Sequence, residues 1–223
     1  NSFKFSPKDL LIDNNSSINI DIMNFLSIDC STSNSFLFIK NKNKTFSKIL
    51  QSDKSKNDLI MKQILDFFRE NNLKFTDLHK IYVNQGPGNF SGLRGSIAIC
   101  KGICLSKSLN LCGYDTFILS CANFFNKKDS IFSILKLRNK YFVRKFSNNL
   151  SNISKAEETS EEKIIKKYNN KFKVIPKNMI KYFDNKILKL NNVNPVDLDY
   201  NQLEFLQLKG LLNENLIKPL YLS

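Results

Sequence analysis

Lys80 to Ser106 reads KIYVNQGPGNFSGLRGSIAICKGICLS, and the rest of the chain is organised around it. Lys80 to Asn84 is a β-branched and aromatic run, predicted as a short buried strand that stops at Gly86-Pro87-Gly88, where the backbone must turn. Gly86 and Gly88 can take positive φ without steric cost, and Pro87 holds φ near the turn value. Asn89 or Ser91 can then cap a helix predicted to open at Gly92. Along that helix Gly95, Ala98, Gly102 and Ser106 fall at i, i+3, i+7 and i+11, so one face carries almost no side chain. Leu93, Ile97, Cys100 and Cys104 form a second, apolar stripe. With Arg94, Lys101 and Lys107 as its only charges, the helix is predicted to be buried between two layers.

Glycines ahead of a helix N-terminus serve either an anion or a tight corner. Free N–H groups at Gly86 to Gly92, with the cation of Arg94 in the first turn, suit a phosphate. The same glycines are needed for sterics alone where a strand turns sharply into a helix. Local chemistry favours the steric reading, because the Lys-Ser/Thr of a P-loop is missing and GxGxxG does not fit.

The 223 residues make one large domain or two lobes, enough to bury about 70% of the unfolded surface. Nineteen Phe with no Trp and one His, among many Lys, Asn and Ile, point to a compositional bias of the kind an AT-rich genome imposes. The net charge of +14 fits a nucleic-acid partner through counterion release, and fits the same bias equally well, since the lysines are spread along the chain. Five cysteines without a CxxC pair read as reduced, buried thiols. A single imidazole, His79, leaves no His-based metal site. No apolar run reaches membrane-spanning length and no secretory signal opens the chain, so a soluble, cytoplasmic protein is expected.

Working outward, Phe25 to Ile28 and Phe36 to Ile39 form a hairpin joined by Asp29-Cys30-Ser31-Thr32-Ser33-Asn34, and Thr45 to Leu50 adds an edge strand. After a polar connection Asn57-Asp58 caps a helix over Leu59 to Glu70. Its apolar residues Ile60, Met61, Ile64, Leu65, Phe67 and Phe68 cover an arc of about 160°, wider than one core needs, so a partner is expected on the excess. Leu109 to Tyr114 is a strand, and Asp115-Thr116 caps a helix running through Phe125. This alternation predicts an α/β fold: an RNase H-like mixed sheet with flanking helices. The second half is a hairpin around Arg138-Asn139-Lys140, a charged helix over Ser154 to Tyr168, strands at Phe172 to Ile175 and Ile187 to Val193, and an amphipathic helix over Asp199 to Asn213. It carries no second glycine loop, so a complete nucleotide cleft is not expected. Lobe boundaries are placed at 23–126 and 127–223, with 1–22 a disordered extension.

Gly86-Pro87-Gly88-Asn89-Phe90-Ser91-Gly92-Leu93-Arg94 resembles the GPGSFTGLR signature of the TsaB (YeaZ) family of tRNA threonylcarbamoyladenosine biosynthesis proteins. Asp29, Ser31 and Thr32 match the first hairpin of that family and of the wider actin, sugar kinase and Hsp70 fold. Pro219-Leu220-Tyr221-Leu222 resembles its P-x-YL tail. Two departures stand out: Gly95-Ser96 replaces an aliphatic residue followed by Gly, and Lys54-Ser55-Lys56 replaces His-Ser-Glu.

The resemblance implies the actin and Hsp70 type of fold with a smaller, degenerate second lobe, Asp29 to Thr32 and Gly86 to Arg94 being phosphate-facing loops where a nucleotide is held. It implies a non-catalytic subunit for threonylcarbamoylation of the adenosine beside the anticodon in tRNAs reading ANN codons. The partner is TsaD and, through it, the ATPase TsaE, with tRNA met indirectly. When TsaD is absent a second copy takes its place. The resemblance leaves this subunit without a cofactor of its own, and leaves open a nucleotide at the interface with TsaD. The surface so implied is Leu59 to Phe68 together with Leu93, Ile97, Cys100 and Cys104, and Asp at Ile64 and Phe68 is expected to abolish TsaD binding with the fold intact. A rival from the same fold is a kinase using Asp29 as base, and another is a basic protein binding RNA alone.

Overall fold

A computed structural model of the chain describes residues 23–32, 34–51 and 59–222. The extension 1–22, the Lys54-Ser55-Lys56 departure and the Asn57-Asp58 cap lie outside the described residues.

The first sheet contains β1 (Phe25–Asp29), β2 (Phe36–Asn41), β3 (Lys44–Ile49), β4 (Lys80–Asn84) and β5 (Asn110–Tyr114), in the order β3-β2-β1-β4-β5. The first three strands pair antiparallel, and β1, β4 and β5 pair parallel. Side chains alternate between two cores as the pleat requires. Leu26, Ile28, Ile81 and Val83 face α1 (Leu59–Glu70) and α2 (Phe90–Lys107), whereas Phe25, Phe38 and Tyr82 face the second lobe. Then follows α3 (Thr116–Cys121), capped by Asp115, whose carboxylate accepts from Ile118 N–H at 3.0 Å.

The second sheet contains β6 (Ser130–Leu137), β7 (Lys140–Ser147), β8 (Glu157–Thr159), β9 (Lys173–Pro176) and β10 (Val193–Val196), ordered β10-β9-β6-β7-β8. Exchanging β1 to β5 for β6 to β10 in turn reproduces both the neighbours and the directions of the first sheet, so the fold is a duplication. The second lobe keeps the strand count and is reduced in its helices: α4 (Glu161–Tyr168), α5 (Asn185–Leu188) and α6 (Gln202–Leu208) replace the long α1 and α2. The C-terminal segment returns to the first lobe. Gly113 and Asn213 bridge, Leu220 N–H donates to Gln85 O at 2.6 Å, and Ile217 enters the core beneath α1 and α2. A cut at residue 127 therefore leaves the tail with the wrong lobe.

Three sequence expectations fail for local reasons. The charged helix over Ser154 to Tyr168 begins only at Glu161, because Ser160 is its cap and Glu157–Thr159 pairs with β7. Ile187 to Val193 is not a strand: Asp184 caps α5 there, and β10 starts at Val193. The helix expected over Asp199 to Asn213 is α6 alone, and Gly210 follows it at φ 68°.

All five cysteines are buried and free. Desolvation raises Cys30 and Cys104 to about 11, Cys112 and Cys121 to about 12, and Cys100 well above its ordinary value. Because the thiolate is the reactive form, a disulfide reagent at pH 8 is expected to modify none of them on the folded chain and all five in denaturant. Rapid modification of even one thiol without denaturant would show that it is not held in the core.

Candidate functional site

The two lobes meet at a cleft of about 940 Å3. One wall is the β1–β2 turn (Ser31, Thr32) and the glycine loop from Pro87 to Ser91. The other is the β6–β7 turn from Lys136 to Lys140 with Met179 and Tyr182, and Leu220 to Leu222 closes a side. The duplication explains this geometry. The β6–β7 turn is the second lobe's counterpart of the β1–β2 turn, so the two hairpin tips face the same gap. The second lobe does supply a loop to this cleft, which sequence reasoning did not foresee, but it is built from Arg138 and Asn139 and carries no glycines.

The depth of the first wall is occupied by its own bonds. Asp29 is 5% exposed, and its carboxylate accepts from Ser31 N–H at 2.9 Å, Ser31 Oγ at 2.6 Å, Asn84 Nδ2 at 2.8 Å and Tyr200 OH at 3.0 Å. Burial, then the Asp29 charge, holds the Tyr200 phenol well above its ordinary range, so it stays a donor. Asn84 donates on to Thr116 Oγ1 at 3.0 Å and accepts from Gly86 N–H at 2.8 Å. A carboxylate holding four donors has its acceptor positions filled within the fold, so Asp29 acts here as a structural node.

The glycine loop is likewise closed on itself. A Cβ on Gly88 would stand 1.9 Å from Ser31 O, and one on Gly92 would stand 2.5 Å from Cys30 O. These glycines let the loop lie against the β1–β2 turn. Gly86 has φ 108°, and the Gly86–Pro87 bond is cis. Helix α2 opens at Phe90, two residues before its predicted start, with Asn89 as cap. Asn89 N–H donates to Ser31 O at 2.8 Å, Asn89 Oδ1 accepts from Ser91 and Gly92 N–H, and Leu93 N–H donates to Asn89 O. The amides of Gly86, Asn89, Ser91, Gly92 and Leu93 are thus engaged within the fold. Of the residues expected to face phosphate, Ser31, Thr32, Pro87, Gly88, Asn89, Phe90 and Ser91 line the cleft. Asp29, Gly86, Gly92 and Arg94 do not. Sterics alone require glycine at 88 and 92.

Arg94 lies at the rim. Its guanidinium carbon sits 3.9 Å from the centre of the Phe90 ring, its Nε–H donates to Tyr221 OH at 2.8 Å, and Phe90 and Tyr221 stack with centroids 5.3 Å apart. Both rings are about half exposed, Phe90 at 44% and Tyr221 at 50%. Tyr200, which completes the node, escaped sequence reasoning, and Tyr221 was legible only as part of the tail and not as part of the rim, because their partners lie 171 and 127 positions away. The two-hairpin duplication is the signal that would have found the second wall.

The expected partner surface needs correction. Ile64, Phe67, Phe68, Leu93, Ile97, Cys100 and Cys104 are all buried within the chain, because these stripes are what α1 and α2 lay on the first sheet. Aspartate at Ile64 or Phe68 would test folding, not binding. What remains outside is Leu65 at 42% exposure, the half-buried Leu59, Ile60 and Met61, and the outer face of α2. There Ala98, Gly102 and Ser106 are exposed, Gly95 and Ile99 half-buried, and Leu105 85% exposed. Helix α2 is covered on one side only, contrary to the expectation of two layers.

His79 accepts from Asn24 N–H at 3.0 Å through Nδ1, a capping role. Among the described residues no group of three His, Cys, Asp or Glu is placed to hold a metal, and no helix is long and apolar enough to cross a membrane.

A family model described as TsaD, tRNA N6-adenosine threonylcarbamoyltransferase, matches residues 47–131, the segment from β3 to β6. No curated protein matches the sequence significantly. Among solved structures, an uncharacterized protein with similarity to peptidase YEAZ from Pseudomonas aeruginosa superposes with TM-score 0.68 at 12% identity, covering 90% of this chain and 100% of that one. YeaZ from Pseudomonas aeruginosa does so with TM-score 0.65 at 12% identity and the same coverage. The chain therefore shares the α/β fold of these YeaZ structures over nine-tenths of its length.

Proposed function

We propose that this chain is a non-catalytic subunit of a cytoplasmic tRNA threonylcarbamoyladenosine-forming system, and that it binds a TsaD-type transferase through the outer face of α1 and α2. The YeaZ fold and the TsaD family match support the tRNA-modification part. The engaged Asp29 and the single histidine of the sequence support an accessory role. TsaE and tRNA join through TsaD, and a second copy of the chain covers the same face when TsaD is absent.

Gly102 carries the partner reading. A glycine inside an exposed helix costs about 1 kcal/mol relative to alanine, so its own fold should give a reason for it. It gives none, since a Cβ there would meet nothing within 4 Å. With Ala98 and Ser106 on the same side and Leu105 beside them, Gly102 leaves a flat strip on which another helix can seat closely. Burying Leu105 alone would contribute about 2 kcal/mol.

Gly102→Ala is expected to raise the stability of the isolated chain by about 0.5–1 kcal/mol, and Gly102→Phe to leave it folded while lowering co-purification with TsaD at least tenfold. Undiminished capture of TsaD by Gly102→Phe would place the interface elsewhere.

A further inference from the structure

We propose that the interlobe cleft binds a short run of single-stranded RNA, with bases stacked on the Phe90–Tyr221 pair and on Tyr182 and the backbone drawn to the cations of the β6–β7 turn. This inference does not rest on the TsaD reading, because the cleft and the outer face of α1 and α2 share no residue.

Three observations converge on it. First, the cleft of about 940 Å3 carries three large aromatic rings left 44–50% exposed on its two walls. Exposed rings lining a concave surface bind planar groups, and every base has a π face. Second, Lys136, Arg138 and Lys140 stand on the opposing turn, and among the described residues the only acid lining the cleft, Glu158, is paired with Lys140 at 2.8 Å. Arg94, stacked on Phe90, adds a fourth cation at the rim. Third, Arg138 sits in the left-handed region at φ 46°, followed by Asn139 at φ 65°. A two-residue hairpin turn of this kind prefers Asn-Gly or Asp-Gly, so arginine is an unfavourable choice on local grounds. It forms no ion pair among the described residues, so the fold gives no structural reason for its charge.

A strand fits better than a lone nucleotide. The amides of Ser91 and Gly92, capped by Asn89, and the filled carboxylate of Asp29 offer no enclosed phosphate pocket, whereas stacking plus a row of cations is how proteins hold unpaired strands without reading sequence.

The test is fluorescence anisotropy of the full chain with a 5′-fluorescein-labelled ten-nucleotide RNA of mixed sequence, between 50 and 200 mM salt. Saturable binding is expected, with log K falling against log salt at a slope of about −2, as three phosphate contacts on a single strand require. Phe90→Ala should weaken binding at least fivefold. Arg138→Gly should weaken it several-fold and flatten the slope by about 0.7, while its thermal midpoint stays level or rises because the turn is relieved. The same sequence as a duplex should bind at least tenfold more weakly, and 1 mM AMP should not displace the strand. No binding at 50 mM salt overturns the proposal, as does wild-type affinity in both variants. Equal duplex affinity would mean diffuse attraction to the +14 charge, and full displacement by AMP would mean a mononucleotide site. Gly102→Phe should leave RNA binding unchanged, so loss of TsaD and loss of RNA are separable results.

Discussion

Asp29→Ala is expected to destabilise the chain by about 4 kcal/mol, enough to unfold much of a marginally stable population. The carboxylate is buried without a cationic partner among the described residues, and hydrogen bonding alone keeps it there. Removing it strands Ser31 N–H and the Tyr200 phenol in a buried setting, while Asn84 keeps Thr116. Each stranded buried donor costs about 1–3 kcal/mol, against which the lost desolvation of one charge is set.

Tyr200 reaches across from the second lobe, stacked on Phe36 and Phe38 at 5.0 and 5.7 Å, and Lys40 on β2 pairs with Glu204 on α6. The node therefore holds lobe to lobe, and the loss should appear as one cooperative transition in urea. Asp29→Ala with Tyr200→Phe should cost clearly less than the sum of the two single changes, because they share a bond. A catalytic Asp29 would behave oppositely, giving a protein of normal stability without activity. An urea midpoint within about 1 kcal/mol of wild type would refute the node.

The contrast between Asp29 and the glycine loop shows what could be read without the structure. β4 is legible at Lys80–Asn84 and α1 at Leu59–Glu70 because the apolar period is local and its boundaries are chemical: glycines after one, twelve uninterrupted helical residues in the other. The direction each stripe faces was not legible. Ile64 and Phe68 look like spare apolar area until the five-stranded sheet that uses it is assembled from strands paired across as many as 55 positions. Residues 157–159 have the charge order of a helix, and only the edge of β7 makes them a strand. The cleft was half legible. Its first wall lies in two short local motifs, whereas the second depends on recognising β6–β10 as a repeat of β1–β5, which no residue similarity announces.

Lys173→Met is the second large effect, expected at about 3 kcal/mol near neutral pH. Lys173 is fully buried, and its Nζ lies 2.6–2.8 Å from four backbone carbonyls, those of Tyr168, Asn169, Lys171 and Asn191. The ammonium thus supplies donors to the carbonyl end of α4, to the turn after it and to the loop leading into β10. A helix end of this kind is favoured by a cation, and methionine keeps the packing while leaving those acceptors without a donor. Desolvation lowers the pKa of Lys173 to about 8, so at pH 7 it is still charged. The sign of the pH effect follows from linkage. Between about 8 and the ordinary lysine value of 10.5 the unfolded chain binds the proton and the folded chain does not, so wild-type stability gains with rising pH across that window. The stability difference between wild type and Lys173→Met, from urea unfolding at pH 7.5 and pH 10, should therefore widen at the higher pH. A difference that narrows would mean that the four carbonyls hold the ammonium more tightly than water does, and a substitution cost below about 1 kcal/mol at pH 7.5 would show that water reaches those carbonyls.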